Sequence, residues 1–177
     1  MEVGIAGGDP DLDAAILVAL GSNLAGGYAS PEALLEEVLR RFPGLGLSVR
    51  TRSRWWRSAA WPDASEPAFL NGVAWVETGL GPFVLLERLR QIENAFGRDR
   101  LRANAPRTLD LDLIAHGRHV IAGLDLSLPH PRAHARRFVM GPLADVAPHW
   151  RHPSLGLTAA NLADQATVGL DAKPINP

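Results

Sequence analysis

The decisive stretch of the sequence is Leu109-Asp110-Leu111-Asp112-Leu113-Ile114-Ala115. Apolar and acidic residues alternate from Leu109 to Leu113, a period of two that predicts a β-strand with its leucines on the core face. Asp110 and Asp112 then share the opposite face, roughly 7 Å apart along the backbone. Two carboxylates this close repel each other unless cations lie opposite them, and hard divalent cations that bridge phosphate oxygens suit such a pair. A solvent-facing strand of alternating charge is the alternative.

The segments around this strand predict a split βαβ order. In chain order we expect a buried strand at 15–20, a helix from Ser30 to Phe42, an extended segment at 45–57, a strand at 69–78, a helix at 83–96 and the strand at 109–115. A turn at 116–119 suggests a hairpin to Val120 and Ile121, and residues 138–146 suggest a further helix. Strand, helix, strand, strand, helix, strand is the order of ferredoxin-like α+β domains, an antiparallel sheet with helices packed on it.

Length and composition set the broad class of the protein. The chain has 177 residues, 46% of them hydrophobic, with a formal net charge of −1 and no cysteine. We expect a single domain at 15–164, a flexible N-terminal tail at 1–14 and a flexible C-terminal tail at 165–177. The near-neutral charge, the lack of a long apolar run and the acidic N-terminus predict a cytoplasmic protein that binds neither nucleic acid nor membrane. We also expect a monomer. Walker A, GxGxxG and GxSxG patterns do not occur.

A cluster of arginines precedes the aspartate pair. Arg98, Arg100, Arg102 and Arg107 fall within ten residues. The guanidinium group presents a rigid fork of donors that suits phosphate oxygens. Carboxylates for a metal ion beside arginines for phosphate are the parts of a phosphoryl-transfer site. A solvated basic loop paired with its own acids is the alternative.

Two further polar residues are weaker candidates. His130 lies between Pro129 and Pro131, followed by Arg132 and Arg136. Its imidazole is suited to a phosphate hydrogen bond or a proton transfer, although a surface loop histidine explains it equally well. Asn71 lies near the start of the strand at 69–78, and its amide offers both a donor and an acceptor to the edge of a heterocycle. Most such asparagines only satisfy the local backbone.

Taken together, the motifs resemble the 6-hydroxymethyl-7,8-dihydropterin pyrophosphokinase (HPPK) family. The resemblance covers roughly residues 15–162 and rests on four stretches: ALGSNL at 19–24, FLNGV at 69–73, PRTLDLDL at 106–113 and LPHPR at 128–132. The third stretch is the specific one, and GSN or FLN alone mean little. The resemblance implies a ferredoxin-like α+β fold, two Mg²⁺ ions, ATP as co-substrate, and transfer of diphosphate to the hydroxymethyl group of the reduced pterin.

The resemblance also implies residue roles. Asp110 and Asp112 match the metal-ligand pair, and Arg98 with Arg100 or Arg102 matches a mobile catalytic loop. Nucleotide-binding positions are Glu93, Arg107, Leu113, Ser127, His130 and Arg136. Pterin-binding positions are Ser58, Ala59, Trp61, Phe69, Asn71 and Phe138. The chain departs from the family pattern at Asn104-Ala105, where tryptophan-glycine is common, and at Pro131, where an aromatic residue is common.

Two other function classes remain open from the sequence alone. A metal-dependent phosphohydrolase or nuclease would use the same acids and arginines, but Asn71 with flanking aromatic residues favours a bound ring over water as the acceptor. A non-catalytic ferredoxin-like binding module would have no need of paired acids on the polar face of a strand.

Overall fold

The computed structural model describes residues 10–60, 63–97 and 109–176. The elements are, in chain order, α1 (Pro10–Asp13), β1 (Ile16–Ser22), α2 (Pro31–Arg41), β2 (Ser48–Arg52), β3 (Trp56–Ser58), β4 (Phe69–Glu77), α3 (Pro82–Ala95), β5 (Asp110–His116), β6 (Ile121–Ala122), β7 (Ser127–Leu128), α4 (Arg137–Val146), α5 (Ala159–Gln165) and β8 (Lys173–Pro174). No helix in these ranges is long and apolar enough to cross a membrane.

The main sheet has the strand order β5-β1-β4-β3-β8, and β2 also pairs with β4. Strand β1 pairs antiparallel with both β4 and β5. The helix α2 follows β1, and α3 connects β4 to β5, so each helix links two strands that are not neighbours. This is the split βαβ arrangement, and the ferredoxin-like α+β prediction is confirmed.

Both faces of the sheet are covered, which explains the continuous apolar run of β1. Val18 and Leu20 pack in one core with α2 and α3. Leu17 and Ala19 pack in a second core on the opposite face, with α4 and α5. Each fully buried leucine or valine contributes about 1.5–3 kcal/mol to the free energy of unfolding, so the central strand is held strongly from both sides.

The start of α2 follows the sequence prediction. The Oγ atom of Ser30 accepts a hydrogen bond from the backbone N–H of Ala33 at 3.1 Å, and Pro31 takes the first helical position. Such a cap stabilises a helix by about 1 kcal/mol. The turn after the helix ends at Gly46, whose φ of 85° lies in the left-handed region that glycine adopts most readily.

Strand β5 forms one end of the main sheet, and its outer edge is occupied by groups other than a strand. Glu93 Oε1 accepts the N–H of Leu111 at 2.8 Å, and the N–H of His130 donates to the carbonyl of Ile114 at 2.9 Å. The predicted hairpin between this strand and Val120-Ile121 is therefore wrong. Strand β6 pairs instead with β7 in a separate two-stranded sheet.

The segment predicted as one extended strand at 45–57 forms two strands, β2 and β3. They are separated where the Ser53 N–H donates to the Val73 carbonyl and the Ser53 Oγ accepts from the Val73 N–H. Within β2 the pairing with β4 also shifts register between Val49 and Thr51. Neither the Ser53 side-chain hydrogen bond nor the shift of register leaves a periodic pattern in the sequence that could have predicted it.

The C-terminal residues pack against the domain. The N–H groups of Thr167 and Val168 both donate to the carbonyl of Ala135 at 3.0 Å, and Ala172 is buried. Strand β8 pairs with β3. These contacts argue against a flexible tail that begins at residue 165, while the limits of the domain as a whole stay a prediction.

Candidate active site

One row of residues across the sheet brings together the two strongest polar candidates. Asp110 lies opposite Gly21, Gly21 lies opposite Asn71, and Asn71 lies opposite Trp56. Directly opposed residues of antiparallel strands share a face of the sheet. A methyl group on Gly21 would lie 3.6 Å from Asn71 Oδ1 and 3.9 Å from Asp110 Cβ. Because Gly21 has no side chain, the surface between the Asp110 carboxylate and the Asn71 amide is left uncovered.

The aspartate pair lies as the alternating pattern predicts. Leu109, Leu111 and Leu113 are buried in the core that contains α2 and α3. Asp112 lies opposite Ala19, a residue of the core that contains α4, so the two aspartates face the side of the sheet on which α4 packs. Both aspartates are half-buried, and each makes a polar contact within the protein.

Glu93 fixes the backbone between these two carboxylates. The residue is 1% exposed, and its Oε1 accepts the N–H of Leu111, the residue between Asp110 and Asp112. Because this N–H points away from β1 at the end of the sheet, it has no strand partner, and a buried N–H without an acceptor costs about 1–3 kcal/mol. Glu93 thus holds the strand that carries the aspartates.

The predicted pterin residues form a second group beside the row. Asn71 is buried and its Nδ2 donates to Ser58 Oγ at 3.0 Å. Phe69 lies opposite Ser58 in the pairing of β3 with β4. The N–H of Ala59 donates to Asp171 Oδ2 at 2.5 Å. The structure therefore brings Ser58, Phe69 and Asn71 together, and it gives the Ala59 N–H a partner from the C-terminal residues.

His130 and Arg136 lie on the side of the aspartates. Burial lowers the pKa of His130, the positive charges of Arg136 and Arg132 lower it further, and the charge of Asp110 partly opposes them. The Nδ1 atom accepts the N–H of Arg132 at 3.2 Å. The imidazole is therefore neutral near pH 7, with its proton on Nε2.

Asp145 anchors α4 to the sheet over this site. Its carboxylate accepts hydrogen bonds from Trp56 Nε1 at 2.8 Å and from Arg54 Nη2 at 2.8 Å. The bond and charge of Asp145 raise the pKa of Arg54. Gly141 permits the close approach, because a Cβ there would lie 2.6 Å from the indole ring of Trp56. The helix that begins beside Arg136 is thus held in a fixed position.

The sequence and the fold were compared with those of known proteins. The family model of 7,8-dihydro-6-hydroxymethylpterin-pyrophosphokinase (HPPK) matches residues 17–148, which contain the row, the aspartate pair and His130. The chain belongs to the HPPK family.

Similarity to individual proteins supports the same family. The chain is similar to 2-amino-4-hydroxy-6-hydroxymethyldihydropteridine pyrophosphokinases of Synechocystis (42% identity, covering 68% of this chain and 61% of that protein), Pseudomonas aeruginosa (41%, covering 78% and 83%) and Haemophilus influenzae (38%, covering 73% and 79%). The fold is similar to the crystal structure of Plasmodium falciparum HPPK-DHPS wild type, with a TM-score of 0.66 and 12% identity over 89% of this chain and 46% of that one. The chain thus spans less than two thirds of the Synechocystis and Plasmodium proteins.

Several residues that the HPPK resemblance implies carry no structural description. Trp61, Arg98, Arg100, Arg102 and Arg107 lie outside the described residues.

Two of the implied nucleotide residues are described but turn their side chains elsewhere. Leu113 packs in the core that contains α2 and α3, and Ser127 Oγ donates to the carbonyl of Gly123 at 3.1 Å. Leu113 therefore offers a ligand only its backbone groups, whereas the Ser127 hydroxyl can still accept a hydrogen bond.

Sequence reasoning missed three residues that contact predicted site residues or their neighbours. Asp145, Gly169 and Asp171 contact Trp56, Phe138 and Ala59 respectively. The partners are separated by 89, 31 and 112 positions along the chain, and neither aspartate nor glycine is unusual at such positions. Contacts between residues this far apart leave no local pattern, and covariation between homologous sequences is the kind of signal that reports them.

Proposed function

We propose that this chain transfers the β- and γ-phosphates of ATP as a diphosphate to the hydroxymethyl group of 6-hydroxymethyl-7,8-dihydropterin, an early step of folate synthesis. The row Asp110, Gly21, Asn71 carries the proposal, because it places a carboxylate for a phosphate-bound metal ion next to an amide that can read a heterocycle. The names of the relatives support the same reaction.

The pterin binds, in this proposal, on the Asn71 side of the row. Asn71 and Ser58 are joined by a hydrogen bond and lie beside Phe69, so their polar atoms border an aromatic side chain. An amide supplies one donor and one acceptor group, the combination that the edge of a pterin ring requires. Phe138 would stack on the ring, and Ala59 and Trp61 would contribute backbone groups.

The nucleotide binds on the aspartate side. The neutral imidazole of His130 offers its Nε2 proton to a phosphate oxygen, and Arg136 adds a positive charge beside it. We assign Arg107, Leu113 and Ser127 to the same ligand. Glu93 acts from within the protein, through the strand that carries the aspartates.

Asp110 and Asp112 fit Mg²⁺, and we propose two ions. Magnesium is usually held by one or two carboxylates plus substrate phosphates, and within the described residues no third histidine, aspartate or glutamate joins the pair into a larger metal-binding group. When bound, the ions neutralise the triphosphate and polarise the transferred phosphorus as Lewis acids.

The reaction needs positioning more than covalent chemistry. The pterin hydroxymethyl oxygen attacks the β-phosphorus in line, the bond from that phosphorus to the oxygen of the α-phosphate breaks, AMP leaves and the hydroxyl proton is released. Asn71 and Ser58 orient the acceptor, while His130 and Arg136 orient the donor. We assign Arg98, together with Arg100 or Arg102, to stabilising the charge on the transferred group. Holding two reactants in line accounts for much of the rate of such transfers.

An assay of nucleotide products separates this proposal from its rivals. Mg-ATP is incubated with the protein, with and without the pterin alcohol. AMP formed only in the presence of pterin supports diphosphate transfer, whereas phosphate release without pterin supports a phosphohydrolase and no turnover supports a binding module. A cytoplasmic monomer that binds neither nucleic acid nor membrane remains a prediction.

A further inference from the structure

Residues 166–175, here called the C-terminal segment, are attached at one end to the start of α4. The N–H groups of Thr167 and Val168 donate to the carbonyl of Ala135, and the N–H of Arg137 donates to the carbonyl of Val168 at 2.9 Å. Phe138, the proposed stacking residue, directly follows Arg137. One end of the segment is therefore fixed to the backbone that carries this ring.

The other end is attached to β3. Lys173 and Pro174 pair with Arg57 and Trp56, and the N–H of Ile175 donates to the carbonyl of Trp55 at 3.0 Å. Strand β3 ends at Ser58, the hydrogen-bond partner of Asn71. The C-terminal segment thus spans from one proposed wall of the pterin site to the other.

Gly169 lies within this span and contacts the ring of Phe138 directly. A Cβ atom on Gly169 would lie 2.4 Å from Phe138 Cδ1 and 3.1 Å from Cε1. The guanidinium carbon of Arg136 lies 5.7 Å from the centre of the same ring. The Phe138 ring therefore packs directly against the backbone of Gly169, and any side chain at position 169 would have to displace the ring.

Asp171 makes the second direct contact with a proposed pterin residue. Its Oδ2 accepts the N–H of Ala59, just beyond the end of β3. This bond fixes the backbone at the point where β3 leads into the loop before Phe69. Gly169 and Asp171 are two residues apart, so one short piece of chain contacts both walls.

We propose that Gly169 and Asp171 are positioning residues for the pterin: Gly169 sets the place of the Phe138 ring, and Asp171 sets the backbone at Ala59. The inference rests on the proposed function, because it takes Phe138 and Ala59 as pterin contacts. Neither residue touches the substrate, and both act through the residues that do. Pterin affinity should therefore depend on the C-terminal segment more strongly than ATP affinity, which the segment reaches only through Arg136.

The chain offers a matched control for the glycine. Gly156 has a φ of 69°, almost the same as the 68° of Gly169, but a Cβ there would meet nothing within 4 Å. An alanine would be strained to the same extent by the left-handed backbone conformation at both positions. Only Gly169→Ala also pushes an aromatic ring, so the difference between the variants isolates the ring displacement.

The test measures the Kd of the pterin alcohol and of a non-hydrolysable ATP analogue by calorimetry, together with AMP formation, for wild type, Gly169→Ala and Gly156→Ala. We expect Gly169→Ala to weaken pterin binding about five- to tenfold, the scale of one aromatic contact, and to weaken ATP binding less, because only Arg136 links the ring to the nucleotide side. Gly156→Ala should bind both ligands like wild type. In a Phe138→Ala background, Gly169→Ala should have no further effect. Equal losses for both ligands, no loss, or a loss that persists without the Phe138 ring would overturn the inference.

A second pair of variants tests the other contact and serves if Gly169→Ala fails to fold. Asp171→Ala removes the acceptor of the Ala59 N–H, whereas Asp171→Asn keeps an acceptor oxygen. Weaker pterin binding in the alanine variant, restored in the asparagine variant, supports positioning, and identical behaviour of the two contradicts it. If wild type binds pterin but forms no AMP, the proposed transfer fails, and the pterin affinities of the variants still decide the inference. If wild type forms AMP and all these variants bind pterin normally, only the inference fails.

Discussion

Gly21→Ala should separate activity from stability. The glycine is half-buried in the central strand, between Asp110 and Asn71. An added methyl group would make ordinary contacts, at 3.6 Å to Asn71 Oδ1 and 3.9 Å to Asp110 Cβ, so neither neighbour has to move. Alanine also restricts the unfolded chain, which stabilises a compatible site by about 0.4–1 kcal/mol. For a chain of this length that is a rise in Tm of roughly 1–4 °C.

In the proposed site the ATP phosphates and the pterin meet above Gly21, so the same methyl group would occupy space that the two ligands need. Displacing reacting atoms by about 1 Å can cost on the order of 10²-fold in rate. We therefore expect AMP formation to fall by about that factor while Tm stays equal or rises. Thermal denaturation and a product assay measure the two effects on one preparation. Gly79→Ala is the control, because its methyl group would contact nothing within 4 Å. Normal turnover in Gly21→Ala would refute the placement of the ligands over this row.

Three further predictions follow from the site and its surroundings. Asp112→Asn should lower AMP formation by about 10²–10³-fold at saturating Mg²⁺ with the fold intact by circular dichroism, and near-normal turnover would contradict a metal role. Asn71→Ala should weaken pterin binding by about 1–3 kcal/mol in calorimetry and leave ATP binding unchanged, whereas equal losses would make Asn71 structural. The Tm should fall as pH drops below about 6.5. Burial and then the charge of His134 lower the pKa of His152, and burial also lowers the pKa of His130. Below that pH the unfolded chain therefore binds more protons than the folded one, which favours unfolding. His152→Asn should flatten this fall, and an unchanged profile would assign the effect elsewhere.

Local patterns in the sequence predicted α2, α3, α4 and the central strands, but not the short helices α1 and α5. Alternation from Leu109 to Leu113 correctly separated core from polar face, and Ser30-Pro31 correctly marked a helix start. These features depend on neighbours in the chain, through strand periodicity and backbone capping. The hairpin at Val120-Ile121 was wrong because Glu93 and the His130 backbone occupy the edge of β5.

The assembly of the site depends on pairings that no local pattern contains. The meeting of Asp110 and Asn71 across Gly21 follows from the register of three strands that are distant in the chain. The contact of Asp171 with Ala59 joins residues 112 positions apart. The resemblance supplied candidate residues, whereas their neighbours across the sheet came from the fold.

The most direct test of diphosphate transfer is the identity of the nucleotide product. ATP, Mg²⁺ and 6-hydroxymethyl-7,8-dihydropterin are incubated with the protein, and nucleotides are separated by ion-exchange chromatography. We predict AMP and pterin diphosphate in equal amounts, and no AMP when either the pterin or Mg²⁺ is omitted. ADP as the nucleotide product, or AMP formed without the pterin, would contradict the account.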